Sequence, residues 1–223
     1  MRRRSATEFG APLPREFYDR PVLRVAREVL GRLLVFEGPA EHVVGRVVEV
    51  EAYRGARDPA SHAYRGETPR NAVMFGPPGH AYIYFTYGMH HCLNLVTEPP
   101  GRPSAVLVRA LEPVAGIPLM RRRRGDVPLE RLMRGPGCIT RALGLTRAHN
   151  GLDLVTGPLW LSDLPAPPEP FPIARSPRIG LRQGLEFRWR FFWSGHPCVS
   201  GGSFAPRAAE APARQGGRST VPG

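Results

Sequence analysis

The stretch that decides the fold reads Val-Glu-Val-Glu-Ala-Tyr-Arg-Gly at 48–55, Ala-Tyr-Ile-Tyr-Phe-Thr-Tyr-Gly-Met at 81–89, Cys-Leu-Asn-Leu-Val-Thr at 92–97 and Ser-Ala-Val-Leu-Val-Arg-Ala-Leu-Glu-Pro at 104–113. These runs are short and rich in β-branched and aromatic residues. Gly76-Pro-Pro-Gly79 and Pro99-Pro-Gly101 punctuate them, which is how strands joined by tight connections read. Upstream, residues 42–52 are also β-rich and Arg32 to Phe36 is extended. Before them, Val22, Val25, Ala26, Val29 and Leu30 recur at helical spacing behind Asp19-Arg20-Pro21, and Gly31 stops the helix. Downstream, residues 117–145 predict short helices broken at Gly125 and at Gly135-Pro-Gly137, and a late strand spans Leu185 to Trp193. Strands and helices do not alternate as a parallel sheet requires. The expectation is an α+β fold, an antiparallel sheet with helices packed around it.

A chain of 223 residues can bury a substantial core as one domain. That domain is expected over residues 14–203. Residues 1–13 and the Ala/Pro/Gly/Arg-rich tail at 204–223 lack apolar periodicity and are expected to be disordered.

The formal net charge is +12, and every one of the 31 basic residues is arginine. Without lysine there is no lysine Schiff base and no phosphate-loop lysine, which excludes most lysine-dependent enzyme classes. The positive excess points to a polyanion, nucleic acid first and an anionic membrane second. No apolar run approaches the ~20 residues of a membrane span. Cys92, Cys138 and Cys198 are odd in number and far apart, so reduced thiols in a cytoplasmic, nucleoid-associated or nuclear protein are expected.

In a strand through 47–51, period-two alternation puts Val48 and Val50 on one face and Val47, Glu49 and Glu51 on the other. A Glu-x-Glu pair is ordinarily a solvated surface. Here Tyr53 and His62 follow closely, and aromatic neighbours desolvate a carboxylate and make it a stronger base. Tyr82 and Tyr84 share a strand face, and Tyr87 sits near the turn at Gly88. Tyrosines on strands are commonly core packing, but their faces can also stack on a base. His90-His91-Cys92 is a poor metal chelate, because neighbouring strand residues point to opposite faces. No metal and no cofactor is expected. Arg121 to Arg124 reads as a solvated helix face or as a phosphate contact. Gly135-Pro-Gly137 with Thr140 and Ala142 is a partial match to a helix-hairpin-helix motif.

Together these blocks resemble the alkyladenine (3-methyladenine or methylpurine) DNA glycosylase family, over roughly Pro14 to Ser200. The resemblance rests on Glu51-Ala-Tyr53, Ser61-His62, Thr68-Pro-Arg-Asn71, Met74-Phe75, Tyr87-Gly-Met89, Asn94, Arg109-Ala-Leu-Glu-Pro113, Gly135-Pro136 and Arg178-Ile-Gly180. It implies a single domain with a curved antiparallel sheet, distinct from the helix-hairpin-helix glycosylases. By that resemblance, Glu51 is the general base that activates water. Arg109 and the Ile179 carbonyl hold that water. Tyr53, His62 and Tyr84 wall the base pocket, Asn94 rejects guanine, and Tyr87 with Met89 wedges the duplex. Arg70, Arg134, Arg178 and Thr68 are expected on the DNA backbone. The His90-His91 pair stands where relatives are often more aromatic. The implied partner is damaged double-stranded DNA met by a monomer, with no membrane.

The implied activity is monofunctional hydrolysis of the N-glycosidic bond of alkylated purines in base excision repair, with deaminated or etheno purines as further candidates. Without a lysine amine, no strand-nicking lyase step is expected. The competing readings are a non-catalytic binder of damaged or structured nucleic acid, and a metallohydrolase built on His90, His91 and Glu51.

Overall fold

The computed structural model describes residues 8–38, 42–86, 89–167 and 171–201. Two short helices, α1 (Arg15–Tyr18) and α2 (Val22–Glu28), precede strands β1 (Leu33–Glu37) and β2 (His42–Tyr53). Strands β3 (Ala81–Thr86), β4 (His90–Thr97) and β5 (Ser104–Ala115) follow, then α3 (Ile117–Arg124) and α4 (Pro136–Leu143). Three short strands complete the described chain: β6 (Leu159–Leu161), β7 (Ile173–Ser176) and β8 (Arg190–Trp193).

All pairings are antiparallel, in the order β3-β4-β5-β2-β1-β6. The spine is the pair β2 and β5, each 12 residues long. On its far edge β2 takes β1 along residues 42–46 and β8 along 49–51, and β7 extends from β8. This is the α+β arrangement expected from the sequence.

One face of the sheet is apolar. Val50, Ala52, Ile83, Leu93, Leu95, Val106 and Val108 pack with Val22, Val25 and Ala26 of α2 and with Ile139, Ala142 and Leu143 of α4 in one buried cluster. At ~1.5–3 kcal/mol for each large side chain buried, this cluster is the principal source of stability. α2 begins at Pro21, which provides no capping side chain. Glu98 supplies one from a distance, accepting the Val22 N–H at 3.0 Å. To do so it occupies left-handed backbone, with φ 66°.

Three expectations need correction. First, strict alternation along 47–51 fails. Val48 has no partner on β5 and Arg109 none on β2, because the register runs Val47↔Leu111, Glu49↔Ala110, Val50↔Val108. The bulges put Val47 and Val50 in the same core, while Val48 joins a separate cluster with Phe192 and Trp193. Second, the late strand is only four residues long, and the sequence reading missed β6 and β7. Short strands carry too few residues to show a period. Third, the expected disorder at 1–13 does not hold for residues 8–13, while 1–7 lie outside the described residues. Pro12 bridges Ser162, the Phe9 carbonyl accepts from Ser162 Oγ at 2.6 Å, and Leu13 is buried. Of the expected tail, and of Gly202 and Ser203 before it, nothing lies within the described residues.

Candidate active site

The face of the sheet opposite the core is concave and largely aromatic and apolar, with a few polar groups set in it. Its strand residues come from alternate positions in register: Tyr82 and Tyr84 on β3, Cys92 and Asn94 on β4, Ala105 and Leu107 on β5. Tyr82 stands opposite Asn94, Asn94 opposite Leu107, and Leu107 opposite Glu51. The loops at 53–75 and 177–181 and the first turn of α4 close over this face. The result is a cavity of about 390 Å³, within the range of small-molecule sites. Its wall includes Tyr53, His62, Tyr84, Asn94, Arg109 and Ile179. Gly137 lets α4 approach this closely, since a Cβ there would stand 2.9 Å from the His90 ring.

Behind that wall lies Glu51, whose side chain has no exposed surface. Its Oε1 accepts the Ile179 N–H at 2.7 Å and lies 3.2 Å from Arg109 Nη1, while Oε2 accepts the Tyr53 hydroxyl at 2.9 Å. A carboxylate offers about four acceptor positions. Hydrogen bonds from Ile179 and Tyr53 use one on each oxygen, the Arg109 ion pair lies against Oε1, and Oε2 keeps a position beside Tyr53. Burial raises the Glu51 carboxyl above its ordinary range, against the opposing pull of Arg109, the Ile179 amide and Tyr53. The Tyr53 hydroxyl is pushed up too, by its own burial and by the Glu51 charge, so it remains a donor.

Glu49 has a different setting. It accepts Arg109 Nε at 3.1 Å, Arg190 Nε at 2.7 Å, the Ser200 N–H at 2.6 Å and the Ser200 hydroxyl at 3.0 Å. The cavity wall does not include it.

The aromatic wall is asymmetric. His62 and Tyr84 rings meet edge to face, centroids 4.5 Å apart at 74°. A base stacked between two rings needs about 7 Å, two contacts of roughly 3.5 Å. His62 and Tyr84 therefore cannot sandwich a base between them and form one side of the slot. His62 Nδ1 lies 3.0 Å from the Tyr82 hydroxyl. Burial, then the Arg70 charge, lowers the His62 pKa, which leaves a neutral ring with Nε2 uncommitted to Tyr82. Burial pushes the Tyr82 hydroxyl up to about 12. Asn71 pins this loop, donating to the carbonyls of His62 and Gly66 at 2.8 and 3.0 Å.

The structure thus gathers Glu51, Arg109, Ile179, Tyr53, His62, Tyr84 and Asn94 around one cavity. Asn94 Nδ2 donates to the Tyr82 carbonyl at 3.1 Å. Met89 projects with 70 % of its surface exposed. Tyr87 lies outside the described residues. Arg70 and Thr68 are exposed on the rim. Arg70 lies over the Tyr84 ring at 5.5 Å, and Thr68 Oγ1 donates to Asn71 at 3.0 Å. Arg134 is half-buried, its Nε donating to the Val199 carbonyl at 2.7 Å.

One expectation fails here. Arg178 does not face DNA. Its side chain is fully buried, clamped bidentately on Asp58 at 2.5 and 2.7 Å, with Nη1 also donating to the Ala52 carbonyl at 3.0 Å. It stacks 4.5 Å from the Tyr53 ring and 5.2 Å from that of Trp189. Ile179 donates its amide to Glu51 at 2.7 Å, a contact that leaves its carbonyl available for the water-holding role expected of it.

Sequence reasoning assigned no role to Glu49, Asp58 or Ser200, whose contacts with Arg109, Arg178 and Glu49 span 60, 120 and 151 residues. It quoted Met74 without giving it a place in the wall, and it passed over Leu181. No group of three or more His, Cys, Asp or Glu residues suited to a metal occurs among the described residues. Nor, among them, is any helix long and apolar enough to cross a membrane.

Beside the cavity, sharing His90 and Gly137 with it, runs a second groove of about 550 Å³ edged by Met89, Arg123, Arg124, Arg141 and Thr146. The Arg121–Arg124 run is the last turn of α3. Arg124 Nε and Arg141 Nε donate to the carbonyls of Leu132 and Arg123.

An aromatic-walled cavity on a curled antiparallel sheet, with a buried carboxylate behind its wall, defines a class of ring-binding, hydrolase-like sites. Comparison narrows this class. Residues 16–197 match the profile of the methylpurine-DNA glycosylase (MPG) family. A Burkholderia lata protein is 49 % identical over 196 residues, covering 86 % of this chain and 92 % of the relative. A Streptomyces avermitilis protein is 49 % identical over 210 residues, 92 % and 95 % of the two chains. One from Methanocella arvoryzae is 49 % identical over 193 residues, 84 % and 95 % of the two chains. Each is provisionally named a 3-methyladenine DNA glycosylase. The chain belongs to the methylpurine-DNA glycosylase family.

Proposed function

We propose that this protein is a monofunctional DNA glycosylase that extrudes alkylated purines, 3-methyladenine first, into the cavity and hydrolyses their N-glycosidic bond. The observation that carries this reading is Glu51, buried and raised in pKa, with one acceptor position left on Oε2 behind the cavity wall. In that position Glu51 accepts a proton from water as the water oxygen attacks C1′. The C1′–N9 bond breaks, and its electron pair leaves with the purine. A purine alkylated at N3 or N7 is cationic, so it departs neutral and needs no acid. Aromatic faces attract that cation, which fits a wall of Tyr53, Tyr84 and neutral His62.

Deaminated and etheno purines are neutral and need protonation or strong hydrogen bonds on leaving. His62 Nε2 is the described group best suited to hydrogen-bond them. Asn94 in the wall meets the exocyclic amine of a guanine. Met89, projecting between cavity and groove, supports the duplex distortion that extrusion requires, with Tyr87 as its proposed partner. The basic groove supports a path for the phosphates beside the extruded nucleotide. Arg70 and Thr68 on the rim suit the opposite flank. The chain acts as a monomer on damaged duplex DNA in base excision repair, in the compartment that holds the genome.

The test is base release from duplexes containing 3-methyladenine, 7-methylguanine or hypoxanthine, with EDTA present and each sample divided before hot alkali. Free base with strand breakage only after alkali supports a metal-independent monofunctional enzyme. Glu51→Gln should abolish release and keep binding. Binding without release by either protein would instead identify a non-catalytic binder.

A further inference from the structure

Among the described residues, Arg109 touches both carboxylates of the Glu-x-Glu pair. Its Nε is 3.1 Å from Glu49, its Nη1 is 3.2 Å from Glu51, and its Nη2 donates to Ser200 Oγ at 3.4 Å. Three edges of one guanidinium thus go to three acceptors. The usual strong arrangement, a bidentate fork on one carboxylate, is absent. The cause lies in the backbone: Val48 and Arg109 are each left without a partner in the β2–β5 register, and this brings Glu49 and Glu51 to bear on the same arginine.

We propose that Glu49, held by Arg190 and Ser200, is a positioning residue that keeps Arg109 from closing bidentately on Glu51. The consequence follows from acceptor counting and charge. A bidentate Arg109 would occupy both Glu51 oxygens. The last acceptor position for water would be filled, and the carboxylate would become a weaker base. Glu49 takes Nε directly, and the Ser200 hydroxyl that it holds takes Nη2, the nitrogen an end-on fork with Nη1 would need. Its own placement is over-determined, since Arg190 Nε and the Ser200 amide and hydroxyl fix it without any exposed surface. The Ser200 hydroxyl accepts from Arg109 and donates to Glu49, so it links the two directly. The segment Val199–Ser200, nearly 150 residues from Glu51 in sequence, thereby becomes part of the site. Two further bonds pin it there: Arg134 to the Val199 carbonyl and Arg190 to the Ser200 carbonyl, both at 2.7 Å.

The charged and titratable groups around Glu51 come from five strands. Arg109 is on β5, Glu49 and Tyr53 are on β2, Tyr84 is on β3 and Cys92 on β4. Arg190, on β8, stands opposite Glu51 in register. Of these, Glu49 can be neutralised while the cavity wall keeps all its residues.

This inference rests on Glu51 being the base, so the experiment separates the two. Single-turnover release of 3-methyladenine is followed against pH for wild type, Glu51→Gln, Glu49→Gln and Ser200→Ala. Loss of the acid limb together with activity in Glu51→Gln supports the base assignment, and full activity there overturns it. In Glu49→Gln, removal of a negative charge and release of Arg109 both favour ionised Glu51. The acid limb should therefore move to lower pH, and the plateau should fall about tenfold as the base weakens. Ser200→Ala keeps both charges and guards against a Glu49 variant that does not fold. It should move the limb in the same direction, with a plateau loss of about threefold. DNA affinity should be unchanged in both. Equal loss at every pH with an unmoved limb, or loss that tracks DNA affinity, overturns the positioning role while leaving the base assignment standing.

Discussion

Asp58 and Arg178 form a two-bond ion pair with no exposed side-chain surface on either partner. The pair joins two loops that both serve the cavity. Asp58 also accepts the amides of Arg54 and Ala60, on the way to His62. Arg178 lies under the Tyr53 ring and immediately precedes Ile179, so two of the donors to Glu51 depend on it. Removing one partner leaves a buried charge alone. Asp58→Ala should cost about 3–5 kcal/mol of stability, measured by urea unfolding. A DNA-contacting Arg178 would instead give a normal unfolding midpoint and weakened binding.

Tyr53→Phe removes one hydroxyl and keeps the ring. That hydroxyl favours the ionised form of Glu51, so its loss raises the carboxyl further. The acid limb of single-turnover base release should move to higher pH. Release at neutral pH should fall by about tenfold, the scale of one hydrogen bond to a charged group. DNA binding should hold. An unmoved limb would mean that the Tyr53–Glu51 contact does not persist on DNA.

Burial raises the Glu51 carboxyl, so the folded protein holds a proton at pH values where the unfolded chain has released it. Stability from this group is present below its ordinary value of 4.5 and is lost as pH rises through the raised one. Glu51→Gln has no such loss. Its stability relative to wild type should therefore improve as pH rises from about 4 to neutrality, which thermal unfolding at a series of pH values will show. A gap that is constant with pH, or that widens the other way, would contradict the raised carboxyl.

The groove edged by Arg124 and Arg141 makes a prediction about salt. If phosphates lie there, replacing either arginine with glutamine should weaken binding to lesion-bearing and intact duplexes alike. The log–log salt slope should shrink by about one for each arginine removed. Release measured at saturating enzyme should be untouched. A slope identical to wild type would take the groove out of the DNA footprint.

Elements with many residues in one pattern were legible in the sequence. α2 and strands β2 to β5 declare themselves through apolar period and through glycine and proline punctuation, because local backbone preference and burial agree there. Elements of three or four residues, such as β6 and β7, carry no readable period. Arg178 shows the limit for side chains. In sequence it is an arginine near other arginines on a basic protein; in the fold it meets Asp58, 120 positions earlier.

The amino-acid sequence by itself determined the strand-rich core, the antiparallel α+β class, the absence of lysine chemistry and several of the residues that line the cavity. Side-chain type and local spacing act over a few residues, and those features are encoded at that range. Only the tertiary structure decided which of the two glutamates stands behind the cavity wall and which is an internal anchor. The chain there reads Glu-Val-Glu, and both carboxylates are fully buried. Their difference arises from the paired irregularities at Val48 and Arg109, and from Arg190 and Ser200 arriving from the far end of the chain. Long-range packing sets those contacts, and no local pattern records them.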